Sequence, residues 1–589
     1  MHISWLRKLS LGCLATITLS TLSISPFAQY QEVSQELVEG TNNFKIGVGS
    51  TFDAGSAHDL SPKKKKGNPA LSPLASDLEE VVQLIDQNYA GKASGRNEKI
   101  INSAIMAMLH SLDPHSSFYT IDDFADLMGE HQNEYFGTGA SIINATVNGD
   151  RETFVLSTAI GSPASTAGLR FGDRILSVNN EDVSGESSIK VREMIRGKLG
   201  TSVVIKVERS GSEKIETITV QRGRIEQKTI PHAFMLNDGM GYMDMTVGFS
   251  YATLDEVKNA LTDLKIKGMT SLVIDLRGNT GGLIDQAAAV AELFLDESLL
   301  IASQKGKSKI DDRVWRSRNK NPEAMPLVLL VDSETASAAE VVAGAFQDND
   351  RALIIGEKTF GKGLVQNVLE LPDGSGLTLT AARYYTPSGR SIQRDYTNTG
   401  LYEYFSQSSR ADAVGISTTA SRTLLNRRVY GGDGITPDVE FRPAQLSAHQ
   451  IQLSDLSLSF IREIVGRSSD EITQARQNMI FGKETITDNI YEKFSSFCVN
   501  KTQTCKNIDP VSNPKQANYI RSQLRYFLAL AAFGSDVAAK QQVKDDEIIS
   551  ISVQKIKEAA DLKERSKTII ATRNNKAKNP PKSVSGGSR

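Results

Sequence analysis

Apolar residues follow a helical period at both ends of this chain and a strand period in its middle. Leu78, Val81, Val82, Ile85 and Tyr89 share one helical face, and Ile100, Ile101, Ala104, Ile105, Met108 and Leu109 share a second. Pro114, in Leu112-Asp-Pro-His-Ser-Ser-Phe118, ends that second helix because proline forces the residue before it out of helical backbone. Ser202 to Arg209 alternates as a half-buried strand. Between Met240 and Glu440, three apolar runs read as fully buried strands: Ser271 to Leu276, Leu327 to Val331 and Ala352 to Ile355. Gln286 to Leu295 and Ala338 to Phe346 read as helices between them, and this alternation predicts a sheet covered by helices. From Leu453 the helical period returns, as in Ile520, Leu524, Phe527, Leu528 and Ala531.

The predicted class is α+β and multidomain, as 589 residues require at roughly 100–200 residues per domain. Residues 1–28 read as a signal peptide, 29–73 as a polar linker and 74–133 as an N-terminal helical domain. Residues 134–224 form a β-rich module, 225–445 an α/β core, 446–566 a C-terminal helical region and 567–589 a basic disordered tail. The leader carries Arg7 and Lys8 before the apolar run Leu9 to Ile24, with Ala28 as the cleavage residue. This predicts export, with the periplasm as destination. A membrane anchor is the alternative, although the run is shorter than the ~20 residues of a spanning helix. The run Lys63 to Lys66 belongs to the linker, where it is solvated or touches an anionic surface.

Composition narrows the partners. A net charge of -2 and a pI near 6.4 exclude a strongly basic nucleic-acid face. Nothing in the chain calls for a metal or a cofactor. Beyond the leader the cysteines are Cys498 and Cys505, and export permits a short-loop disulfide between them.

The module from Phe136 to Arg224 begins with a glycine loop, Gly137-Thr138-Gly139, that enters a strand. Ser162 to Leu169 reads as a short helix closed by Gly168, Phe171 to Asn179 as a turn and strand, and Ile189 to Ile195 as a helix. In this order the pieces resemble a PDZ domain. The resemblance implies a groove in which a peptide adds as a strand, its carboxylate held by the N–H groups of Gly137, Thr138 and Gly139. A spacer without a ligand is the plainer alternative.

The chemistry centres on Ser337 and Lys362, 25 residues apart. A serine hydroxyl needs a base to act as a nucleophile, and a lysine neutralised by burial can serve. No histidine lies between His232 and His449, so a histidine base would come from a distant segment. Ser337 stands where a buried strand turns into a helix, which exposes a hydroxyl beside N–H donors; an ordinary N-cap and a competing Ser333 are the alternatives. Lys362 is flanked by Gly361 and Gly363 just past a strand, without a phosphate-loop motif. Gln366 lies four residues on and is placed to hold the lysine. In Asp275-Leu-Arg-Gly278-Asn-Thr-Gly281-Gly282, Gly281 or Gly282 would join the N–H of Ala338 in an oxyanion hole, unless the glycines merely make a turn.

Seven elements then stand in one order: Leu112-Asp-Pro-His-Ser, the PDZ-like module, Asp275 to Gly282, Thr335-Ala-Ser-Ala-Ala-Glu, Gly356 to Gly363, Tyr385 to Gln393 and Gly431 to Asp438. From Leu74 to Phe441 the chain resembles the carboxyl-terminal processing peptidases, or tail-specific proteases. That resemblance implies an exported serine endopeptidase with Ser337 as nucleophile, Lys362 as general base and Gln366 as its orienting partner. Its partners would be polypeptides with free C-terminal tails; an activating adaptor protein and a homo-oligomer stay open. A non-catalytic PDZ scaffold and a Ser/Lys amidase of cell-wall or small-molecule amides are the competing readings. The resemblance assigns no motif to the region after Leu453, and its role is open.

Overall fold

A computed structural model describes residues 71–578, except 92–95, 132–133, 213, 398–399, 406–419, 467–469, 481, 484, 502–504, 506–507 and 509. The leader, most of the linker and the last residues of the basic tail lie outside the described residues.

Two amphipathic helices, Leu71–Asn88 and Arg96–His110, open the described chain. After the break at Asp113-Pro114, the short strand Ser117–Tyr119 pairs antiparallel with Gly376–Tyr385 of the core. The N-terminal domain thus delivers Leu112 to Phe118 into the core.

The PDZ-like module is a six-stranded antiparallel sheet with the helices Pro163–Ala167 and Ser188–Ile195. Gly168 closes the first helix at φ 90°, the left-handed backbone that favours glycine. Strand Ala140–Val147 is the sheet's edge, and its side chains alternate between two cores. Ile142 packs inside the module, whereas Ile143 and Ala145 face the C-terminal helices.

The core is a second six-stranded sheet. Met240–Asp244, Ser271–Asp275, Leu327–Val331, Leu353–Gly356 and Val439–Glu440 run parallel, with Ala233–Asn237 antiparallel at one edge. Its central strands are buried throughout because both faces are covered. Leu272, Ile274, Leu327, Leu329 and Ile354 pack against the helices Thr253–Ile266, Ile284–Glu292 and Ala338–Asp348. Val273, Val328, Leu330, Leu353 and Ile355 pack on the other face against Ile548, Ile549 and Ala559 of the last helix.

The C-terminal region is therefore part of the core. Its helices Ala448–Gly466 and Pro514–Phe533 cover the outer face of the PDZ-like sheet, and Glu547–Lys578 covers the protease sheet. That last helix runs past Ser566 to Lys578, through residues expected to be disordered. Its buried Ile570 explains why the helix persists there. Cys498 and Cys505 are bonded. Among the described residues, no helix is long and apolar enough to cross a membrane.

Candidate active site

Ser337 sits between the strand Leu327–Val331 and the helix Ala338–Asp348, at φ 57° and ψ -120°. This is strained backbone for a residue with a side chain, of the kind stored at functional turns. The residue is fully buried, and Oγ has no hydrogen-bond partner among the described residues. An N-cap serine would spend its hydroxyl on the helix; this one is left uncommitted.

Lys362 is 1% exposed, among the largest fully buried side chains. Burial lowers its pKa to about 7, against the opposing pull of the Asp113 and Glu340 carboxylates. Gln366, also buried, donates its amide to Thr380 Oγ1 at 3.1 Å, while its Oε1 has no partner among the described residues.

Glu340 binds the two segments together. Its Oε2 accepts the N–H of Ser337 at 2.9 Å and of Lys362 at 2.8 Å; its Oε1 accepts the Gly361 N–H at 2.7 Å and the Thr359 hydroxyl at 2.5 Å. Ser337 and Lys362 thus hang from one carboxylate oxygen. Burial pushes the Glu340 carboxyl up, and these hydrogen bonds pull it back. The sequence reading gave Glu340 no role. Its place three residues after Ser337 is capping-box spacing, and this was the available signal.

The glycine loop lies against the serine. A Cβ on Gly281 would stand 2.7 Å from the Ser337 Cβ and 3.0 Å from the Ala338 nitrogen, and Gly281 itself is at φ 110°. Only glycine fits there without strain. One expectation needs correction. The Gly281 N–H is already donated to Asn279 Oδ1 at 2.9 Å, because Asn279 folds back over the turn. Of the residues expected to line an oxyanion hole, Gly282 and Ala338 remain the candidates. Asp332 ties the two loops by accepting the Gly278 N–H on both oxygens at 3.0 Å and the Thr335 N–H at 2.9 Å.

Leu112-Asp-Pro-His-Ser forms the far wall. Asp113 accepts the N–H groups of His115 and Ser116 and the Ser116 hydroxyl, and Ser116 Oγ accepts the Thr380 N–H. The chain Asp113–Ser116–Thr380–Gln366 thereby reaches the lysine's expected partner. His115 is fully buried, with Nε2 2.8 Å from the Tyr404 hydroxyl. Burial, then the nearby Lys362 and Arg394, hold its pKa well below the ordinary value, so it is neutral at pH 7. Its place beside Lys362 could not be read from its position in the chain.

The loop Gly137-Thr138-Gly139 is buried, with Thr138 2% exposed. The Thr138 and Gly139 carbonyls point inward, accepting the N–H groups of Ala164 and Ala159. Among the described residues, no group of three or more His, Cys, Asp or Glu side chains is placed to hold a metal ion.

The peptidase family S41 matches residues 239–400, and the PDZ domain family matches residues 154–209. The chain is 34% identical over 301 residues to the carboxy-terminal-processing protease of Bartonella bacilliformis, covering 50% of this chain and 68% of that protein. It is 33% identical over 383 residues to the carboxyl-terminal-processing protease of Synechocystis sp., covering 62% of this chain and 85% of that protein. A solved photosystem II D1 C-terminal processing protease is 27% identical, with 63% of this chain and 88% of that one covered and a TM-score of 0.34. Fold and relatives define a serine-type endopeptidase carrying a PDZ domain. Within that class, the chain belongs to the carboxyl-terminal processing protease family.

Proposed function

We propose that this chain is an exported endopeptidase that reads substrate tails with its PDZ domain and cuts peptide bonds with a Ser337/Lys362 dyad. The suspension of both residues from Glu340 Oε2, with a lysine that loses its proton near pH 7, carries the reading. Neutral Lys362 takes the Ser337 proton as Oγ attacks the scissile carbonyl. The N–H groups of Gly282 and Ala338 meet the charge that develops on the carbonyl oxygen. The lysine then protonates the leaving amine, and a water molecule attacks the acyl-enzyme by the same route in reverse. The Gln366 Oε1, buried and without a partner among the described residues, is the acceptor proposed to receive the lysine amine and fix its direction once a substrate is bound. In the PDZ domain, carbonyls turned inward at Thr138 and Gly139 leave the N–H groups of those two residues for a terminal carboxylate. Because that loop is buried, the surrounding segments must yield for a tail to enter. The basic, apolar leader supports export to the periplasm.

Ser337→Ala should abolish peptide hydrolysis with the melting temperature unchanged, and Ser333→Ala should retain activity. Exchange of these two outcomes would remove Ser337 as the nucleophile.

A further inference from the structure

The loop that carries Gly282, one of the two proposed oxyanion donors, is gripped by the C-terminal helical region. Arg277 precedes Gly278 in that loop. Its guanidinium forks onto Asp275, with Nε 2.9 Å from Oδ1 and Nη2 2.7 Å from Oδ2. Tyr242 donates its hydroxyl to the same Asp275 Oδ2 at 2.9 Å. The remaining edge of the guanidinium meets Asp546, with Nη1 2.8 Å from Oδ2. Asp546 belongs to the C-terminal helical region, immediately before the helix Glu547–Lys578. Its other oxygen accepts the Ile548 N–H at 3.1 Å and so caps that helix.

We infer that the C-terminal helical region is part of the active-site scaffold, and that Asp546 is a positioning residue for the oxyanion loop. The inference rests on the proposed peptidase mechanism. Asp546 is itself well fixed, because Ile548 and Ile549, just after it, are buried against the core sheet. Arg277 is thus held between a carboxylate of its own strand and one on a packed helix, and both charged groups are about three-quarters buried. Gly278, next in the chain, is held by Asp332, and the Ala336 N–H binds the Asn279 carbonyl at 2.9 Å. The path from Asp546 to Gly281 and Gly282 is therefore short and bonded at nearly every step. The same helical region also grips the PDZ domain. Arg462 binds the Gly172 carbonyl at 2.5 Å and Glu208 Oε1 at 2.8 Å, so one body holds both the tail-reading module and the oxyanion loop.

Asp546→Asn separates this role from folding, because asparagine caps a helix as well as aspartate does. Oxyanion donors act on the transition state, so the loss should fall on kcat, about fivefold to tenfold, with KM within about twofold. The melting temperature should not move. Asp545→Asn breaks the neighbouring Arg525 pair within the same region and should leave both constants as they are. In an Arg277→Gln background, Asp546→Asn should cause no further loss, and this comparison decides the matter if the single variant is unstable. An unchanged kcat in Asp546→Asn, a loss confined to KM, or additive effects in the double variant would each overturn the inference. If Ser337→Ala retains full peptide hydrolysis, the peptidase mechanism itself is wrong.

Discussion

Glu340→Gln tests the central claim about the site, that one buried carboxylate holds the nucleophile and the base in register. The carboxylate accepts four hydrogen bonds. A glutamine amide has one acceptor oxygen. In its better orientation that oxygen keeps the Ser337 and Lys362 N–H groups, and the NH₂ faces Thr359 and Gly361. Thr359 Oγ1 already accepts the Ile435 N–H at 2.7 Å but has a second lone pair, so it can turn and accept from the amide. The Gly361 N–H then faces another donor and is orphaned in a buried site, at a cost of about 1–3 kcal/mol. The two retained bonds lose their charge assistance, worth roughly 1 kcal/mol each. A neutral amide recovers part of the burial cost that raises the Glu340 pKa. The balance is a loss of about 2–4 kcal/mol. Urea unfolding reads it as a lower midpoint at constant slope. Turnover of a tailed peptide should fall by more than about tenfold, since small misplacement of a dyad is costly. A stability change below about 1 kcal/mol with kcat within twofold would refute the reasoning. Lost stability with full kcat would show that the carboxylate serves the fold and not the dyad.

Four further outcomes are expected. Because Lys362 loses its proton near pH 7, kcat/KM should fall about tenfold per pH unit below that value and level off above it, and a profile flat down to about pH 5 would exclude a lysine base. The same shift has a stability sign: between about pH 7 and the ordinary lysine value the unfolded chain holds a proton that the folded one lacks, so stability rises with pH across that window, and Lys362→Met should abolish both the rise and the activity. Gly281→Ala places a Cβ 2.7 Å from that of Ser337 at φ 110° and should lower kcat at least a hundredfold, roughly the loss of an oxyanion donor, which an active variant of native stability would contradict. Amidation of a substrate's C-terminus should weaken its binding and cleavage, measured by fluorescence anisotropy and turnover; equal values for acid and amide would end carboxylate capture by the Gly137–Gly139 loop.

The strands Ser271–Asp275 and Leu327–Val331 and the helix Ala338–Asp348 were legible in the chain, because burial on both faces leaves unbroken apolar runs and because helix caps and breakers are local. Ser337, Lys362 and the Gly281 loop could be singled out as candidates because each follows a buried strand or sits beside a glycine, whereas Gln366, inside the strand Leu364–Glu370, was named from its spacing to Lys362 and from the family resemblance. What those residues touch was not legible. That Glu340 binds both dyad segments, that the Gly281 N–H is already taken by Asn279, and that His115 lies beside Lys362 are facts of segments that meet across the fold. The C-terminal region shows the same limit. Its helical period was plain, yet its role as cover for both the PDZ sheet and the core sheet was not. A hydrophobic period specifies that a face will be buried; which surface buries it is decided only when the strands of the core expose a second apolar face of matching shape.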